Sequence, residues 1–233
     1  MYFLKGEAMI LIVAAMEEEL NALKALGDDV ELSNYKDIKL VKMKLANKDV
    51  ILSQSGVGKI NAAYTASILA HHYQPELIIN IGSAGGLKEA QHVGDIVIAD
   101  EVQSHDLDIG ADTYLDERFI YHADVKLNNI LEKIIKDLGH VCYRGKIVSG
   151  DQFVVFNSYA YKRILKYHPE AICVEMEATA IGSAASRLKI PFVVIRAISD
   201  VPLKEDNDLE FEEFLALASQ NSAKITQAFI ENI

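Results

Sequence analysis

Positive charge is in short supply in this chain of 233 residues: 23 Lys and Arg stand against 34 Asp and Glu, a formal net charge of -11 at pH 7. A protein that coats nucleic acid gains affinity by replacing condensed counterions with Lys and Arg, and the average field here repels phosphates instead. Anionic membrane surfaces are disfavoured for the same reason. Cysteine is scarce as well: Cys142 and Cys173 stand far apart and form no CxxC pair. Neither a disulfide framework nor a thiolate metal site is suggested, and a reducing, cytoplasmic compartment is expected. The longest uninterrupted apolar run, residues 9–16, is far short of the roughly 20 residues that a membrane helix needs.

What is present is the composition of a globule: half the residues are apolar, with 4 Pro and 13 Gly, so a sizeable core can be buried and disorder is not indicated. Residues 1–8 lack the long apolar core and small-residue cleavage site of a signal peptide. They are expected as an N-terminal extension ahead of a single domain over residues 9–233. Strands are expected at 9–15, 77–81, 95–102, 141–148, 171–174 and 192–198, and 38–46 with 50–53 predict a hairpin turning at Asn47. Helices are expected at 17–26, 59–73, 127–138, 159–167, 178–188 and 211–229, where apolar residues recur at helical spacing. Strand and helix alternate without a linker or an internal repeat. That pattern argues for one α/β domain with a mixed sheet covered by helices on both faces. Residues 103–121, charged and without periodicity, are expected to form a functional loop.

Several familiar catalytic patterns are missing. Gly56-Val57-Gly58-Lys59 has Ser53 and Ile60 where a P-loop needs Gly and Ser or Thr, and the run Gly82 to Gly86 does not match GxGxxG. There is no GxSxG elbow and no HExxH motif. His105, Asp106 and Asp108 have no second ligand group at metal-binding spacing.

In open α/β sheets ligands bind outside the carboxyl ends of the strands, and here those ends are acidic: Glu17, Glu18 and Glu19, then Glu175 and Glu177, then Asp200. Glycine-rich turns are expected at residues 55–59 and 82–86. Each acid also has an ordinary structural reading, as a helix-end charge, a cap or a turn residue. Their joint occurrence on one rim is the informative feature. Carboxylates without a metal, a thiol or a phosphate loop suit a reaction in which an oxocarbenium-like centre develops and a water is deprotonated, which is glycosidic-bond hydrolysis.

Six motifs then occur in a telling order: Ala15-Met16-Glu17-Glu18-Glu19, Ser55-Gly56-Val57-Gly58-Lys59, Gly82-Ser83-Ala84-Gly85-Gly86-Leu87, Val148-Ser149-Gly150-Asp151, Val174-Glu175-Met176-Glu177-Ala178 and Arg196-Ala197-Ile198-Ser199-Asp200. Together they resemble the bacterial methylthioadenosine/S-adenosylhomocysteine nucleosidases over nearly all of the chain from Met9. The resemblance implies a three-layer αβα sandwich of the nucleoside phosphorylase type, a homodimer, and no metal or organic cofactor. It implies that Glu19 is the general base acting on water and Asp200 the general acid at adenine N7, assisted by Ser199. Glu177 and the Met176 backbone would hold the ribose hydroxyls, with Glu175 beside them. Ser83 and Arg196 would position the water and sugar, Ala84 and Gly85 would lie on the ligand-facing turn, and Phe153 would stack on adenine while the Val154 backbone reads the base edge. Met16 and Val57 would pack against the ribose and its 5' substituent. Asp200 is then expected to hold a proton and Glu19 to be ionised.

The family's loop after Asp108 contains proline and reaches the neighbouring subunit; residues 109–118 here have none. A purine nucleoside phosphorylase of the same fold is the nearest rival. That branch places an Arg before the glycine run to bind phosphate, where this chain has Asn80 and Ile81. Nucleosidases acting on futalosine or AMP, and an inactive nucleoside-binding or storage protein, are further alternatives.

Overall fold

The computed structural model describes residues 9–110, 113–201 and 207–233, without the side chains of residues 207–210, 212 and 213. The expected extension, residues 1–8, lies outside the described residues. Along the chain run β1 (Met9–Ala14), α1 (Glu17–Lys24), β2 (Asp28–Tyr35), β3 (Ile38–Leu45), β4 (Lys48–Gln54), α2 (Lys59–Tyr73), β5 (Leu77–Gly86) and β6 (Ile96–Ser104). These are followed by β7 (Ile120–His122), α3 (Val125–Asp137), β8 (Cys142–Ser149), α4 (Tyr159–Tyr167), β9 (Cys173–Glu175), α5 (Ala178–Leu188), β10 (Phe192–Asp200) and α6 (Asn207–Glu231).

The sheet is mixed. Its order is β10-β6-β8-β9-β5-β1-β4-β3-β2, and β10 also pairs with β5, so β5, β10, β6, β8 and β9 close into a ring from which the remaining strands extend. β1 lies between β4 and β5, parallel to both. Its side chains are apolar on both faces, as a doubly covered strand requires. Leu11 and Val13 join the core beneath α2 and α5, with Ala62, Ala66, Ala178 and Ile181. Ile10, Ile12 and Ala14 join the opposite core with Leu23 of α1, Leu131 of α3 and Ile225 and Phe229 of α6. This strand alternation makes three layers from one sheet.

Three local expectations change. β2 was not anticipated: its sequence is polar and its apolar Leu32 is 74% exposed, so it carries no inward alternation and is held by antiparallel pairing with β3. The glycine run 82–86 is not a turn but the end of β5. There it pairs with β10 and β9, and absent side chains leave room for Glu19 over Gly82 and Gln91 over Gly86. The 103–121 segment begins as the end of β6 and continues through single 3-10 turns at Thr113–Leu115 and Glu117–Phe119 into β7; residues 111 and 112 lie outside the described residues.

Candidate active site

The carboxyl ends of β1, β5, β9 and β10 converge on a cavity of about 350 Å3. Met16, Glu19, Val57, Ser83, Ala84, Gly85, Phe153, Val154, Glu175, Met176, Glu177, Ser199 and Asp200 all line it. Arg196 does not. It lies behind the wall, 1% exposed, with one guanidinium nitrogen donating to Asn80 Oδ1 and Glu175 Oε2, both at 2.5 Å. Ala15, Gln152, Val174 and Phe211 also line the cavity. Gln152 was overlooked although it sits between two singled-out residues. Phe211 was read as part of the amphipathic stripe of α6, yet its ring lies edge-on to Phe153 at 5.3 Å.

Of the three glutamates that open α1, Glu17 and Glu18 face solvent and Glu19 is 3% exposed. Glu19 bends back over its own helix start: Oε2 accepts from the Ala15 and Met16 N–H groups, and Oε1 from the Ser83 N–H, each at 3.0 Å, with the Ser83 hydroxyl at 3.3 Å. It is thus a helix cap and a cavity wall at once. Burial raises its pKa above the ordinary 4.5, against the opposing pull of the Arg196 charge and those three N–H donors. The ionised state expected of this residue is therefore opposed by desolvation and favoured by a dense set of donors.

Glu175 and Glu177 divide the work. Glu175 accepts from the Glu177 and Ala178 N–H groups, the Ser149 hydroxyl and Arg196, so it fixes the start of α5 and neutralises the buried guanidinium. Glu177 instead accepts from the Gly58 N–H at 2.8 Å. Burial and the neighbouring Glu175 charge push its pKa well above the ordinary carboxylate range, with Arg196 opposing. Asp200 is 2% exposed. The β10–β5 register slips between Ile198 and Asp200, a bulge of the kind that re-aims a side chain beside a site. The Ser199 hydroxyl donates to Asp200 Oδ1 at 2.9 Å.

Phe153 is 44% exposed at the open side, while Val154 is buried with the α4 core. The loop trio is dispersed: His105 is packed against Gly150, Asp106 holds Lys59 through both oxygens at 2.6 Å, and Asp108 faces Arg163. Among the described residues no group of three or more His, Cys, Asp or Glu is arranged to hold a metal ion, and no helix is long and apolar enough to cross a membrane. Two buried acids, a third carboxyl and an aromatic ring around one largely apolar cavity can bind a flat base with a polar sugar, give a proton to the base and take one from a water at the sugar.

A family model described as the phosphorylase superfamily matches residues 9–231. The chain is 38% identical to a 5'-methylthioadenosine/S-adenosylhomocysteine nucleosidase from Staphylococcus haemolyticus (strain JCSC1435), covering 96% of this chain and 99% of that protein. The crystal structure of the Neisseria meningitidis 5'-methylthioadenosine/S-adenosylhomocysteine nucleosidase in complex with methylthio-immucillin-A superposes with a TM-score of 0.90 at 33% identity, covering 97% of this chain and 99% of that one. A futalosine hydrolase from Helicobacter pylori shares the fold at a TM-score of 0.89 and 24% identity, covering 97% of this chain and 98% of that one. The fold by itself therefore does not select the nucleoside.

Proposed function

The chain belongs to the phosphorylase superfamily, and from that membership and the geometry of the cavity we propose that it hydrolyses the N-glycosidic bond of 5'-methylthioadenosine and S-adenosylhomocysteine, and also of 5'-deoxyadenosine. The products are adenine and the 5-substituted ribose. The observation that carries this reading is the pairing of two almost fully buried acids, Glu19 and Asp200, from different strand ends around one cavity. Relatives of the same length that act on these two nucleosides support the choice of substrate.

Glu19 takes a proton from a water, whose oxygen bonds to the anomeric carbon. The bond from that carbon to adenine N9 breaks with its electron pair passing to the base, and Asp200 gives its proton to N7, so adenine leaves neutral. The Ser199 hydroxyl steadies Asp200. Cleavage of the bond to N9 runs ahead of the bond to water, so the sugar carries positive charge in between, and Glu177 with the Met176 backbone holds its hydroxyls. Phe153 stacks on adenine, the Val154 backbone reads its edge, Ser83, Ala84 and Gly85 form the floor, and Met16 and Val57 meet the 5' group. Arg196 acts from behind the wall, by fixing Glu175 and attracting Glu19 and Glu177.

Phosphorolysis is disfavoured because Asn80 stands where the phosphorylase Arg would be, its amide committed to Arg196 and the Val13 carbonyl. Adenine release from methylthioadenosine, S-adenosylhomocysteine, 5'-deoxyadenosine and inosine, with and without phosphate, tests the proposal. Release from the first three at rates indifferent to phosphate is expected; strict phosphate dependence, or turnover of inosine alone, refutes it.

A cytoplasmic homodimer fits the same reading. Ile60, Ile109, Leu115 and Tyr159 are 62% to 81% exposed on neighbouring segments tied together by Lys59 with Asp106 and by Arg163 with Leu107. Sedimentation should give twice the 25.8 kDa chain mass, and an Ile60→Asp chain that still sediments as a dimer argues against this face.

A further inference from the structure

The segment Gly56-Val57-Gly58-Lys59 has the look of a phosphate cradle, and the structure reveals what occupies it. α2 begins at Lys59, where unpaired N–H groups and the helix dipole attract anions. Two carboxylates of this chain are seated there. Glu177 takes the Gly58 N–H and Asp151 Oδ1 takes the Lys59 N–H, both at 2.8 Å. Gly58 has φ of +96°, and a Cβ on it would come within 3.2 Å of Asp151 Oδ1, so the turn is shaped around that carboxylate. The Lys59 ammonium then reaches Asp151 Oδ2 at 3.1 Å and both oxygens of Asp106 at 2.6 Å. Asp106 closes the circuit by accepting the Asp151 N–H at 2.9 Å and the Ser104 hydroxyl at 2.7 Å.

This circuit joins two walls of the cavity that no shared strand joins. On one side is the turn whose Gly58 N–H holds Glu177. On the other is Asp151, the residue immediately before Gln152, Phe153 and Val154. Resting on the proposed nucleoside reading, we infer that Asp106 and Lys59 are positioning residues that set the distance between the sugar-holding carboxylate and the base-stacking ring. Neither lines the cavity; they act through Gly58 and Asp151. Burial would raise the pKa of Asp106, but the bonds from Lys59, the Asp151 N–H and Ser104 outweigh it and hold the group at about 2, so the carboxylate of the clasp stays charged at neutral pH.

The test compares wild type with Asp106→Asn, Lys59→Met, the double variant and Lys59→Arg, reading kcat and KM for methylthioadenosine and the Kd of free adenine by titration. Losing one charge-assisted contact should raise both KM and the adenine Kd roughly tenfold while kcat stays within about threefold. The double variant should be no worse than Lys59→Met alone, since losing the ammonium already breaks its bonds to both Asp106 and Asp151. Lys59→Arg, which keeps charge and paired donors, should restore near wild-type values. Ser104→Ala, which removes only one donor to Asp106, should show a smaller shift of the same kind and serves if Asp106→Asn does not fold. Unchanged KM and Kd, effects that multiply in the double variant, or a loss confined to kcat would each overturn the inference. A wild-type protein that releases no adenine would instead overturn the proposed activity, with the adenine titrations still judging the clasp.

Discussion

Gly82 is the position at which the smallest substitution should most disturb the proposed base. A Cβ there would lie 2.9 Å from Glu19 Oε1, 3.3 Å from its Cδ and 3.4 Å from Oε2, directly over the carboxylate. Restoring an ordinary 3.4 Å contact requires a shift of 3.4 minus 2.9, or 0.5 Å. The carboxylate has little freedom to give it, because three N–H donors grip it at 3.0 Å from two sides. Stretching one of these bonds by that amount takes it past the roughly 3.2 Å limit of a good N–H···O contact. A hydrogen bond to a charged group contributes about 1.5–3 kcal/mol, so its loss in the transition state corresponds to a fall in kcat of roughly 10- to 150-fold. Because those donors stabilise the ionised form, weakening one also raises the Glu19 pKa further, and the acid limb of the kcat profile should move to higher pH. The assay is adenine release from methylthioadenosine by Gly82→Ala across pH, with Gly145→Ala as the control. A Cβ at Gly145 meets the Ile172 side chain first, at an ordinary 3.4 Å. A Gly82→Ala protein that keeps kcat within about threefold and the wild-type acid limb would refute the argument that a missing Cβ makes room for Glu19.

Asp200→Asn keeps the shape of the side chain and removes its transferable proton, so kcat should fall by about 100- to 10,000-fold while adenine still binds; turnover near the wild-type level contradicts the assigned role. Phe153→Ala should weaken adenine by about 1–3 kcal/mol, the contribution of one base-on-ring stack, and an unchanged titration would place the base elsewhere. The raised pKa of Glu177 also predicts a stability slope. Above pH 4.5 the unfolded chain gives up this proton while the folded one retains it, so the group's contribution to stability is present below 4.5 and declines as pH rises toward the folded value. Urea unfolding of wild type and Glu177→Gln from pH 4.5 to 8 should show the wild type losing ground relative to the variant; parallel curves would refute the buried, raised carboxyl.

β1 was legible because burial on both faces leaves no room for polar residues, and β1, β8 and β10 all lie within a residue or two of their expected positions. α2, α4 and α5 match as well, since each has a Gly, Ser or Glu just before it and small or apolar residues at helical spacing. β2 escaped because an edge strand with two wet faces has nothing to alternate. The glycine run escaped because glycine marks close approach as readily as it marks a turn, and here the Glu19 and Gln91 side chains are what approaches. The acids could be found from their positions after strands, but their division of labour could not. Glu175 and Glu177 share one side in an extended chain, yet one faces the buried Arg196 and the other the Gly58 N–H, a choice made by residues more than twenty positions away in one case and more than a hundred in the other.

The same long-range placement bears on why water suits this cavity better than phosphate. An oxyanion cosubstrate needs a cation or a free set of N–H donors near the sugar. Among the described residues around the cavity, Arg196 is bound to Glu175 and Asn80, Lys59 to Asp106 and Asp151, the Gly58 N–H to Glu177, and the Ala15, Met16 and Ser83 N–H groups to Glu19. Each has been given to a carboxylate of the chain itself. An arriving phosphate would have to displace one of these internal carboxyl groups and leave it buried without its partner, at a cost of several kcal/mol. A neutral water meets no such barrier and needs only a proton acceptor. The acids of the chain are therefore organised at this cavity as a set of prepaired carboxyl groups, a setting that stabilises a sugar cation while excluding a competing anion.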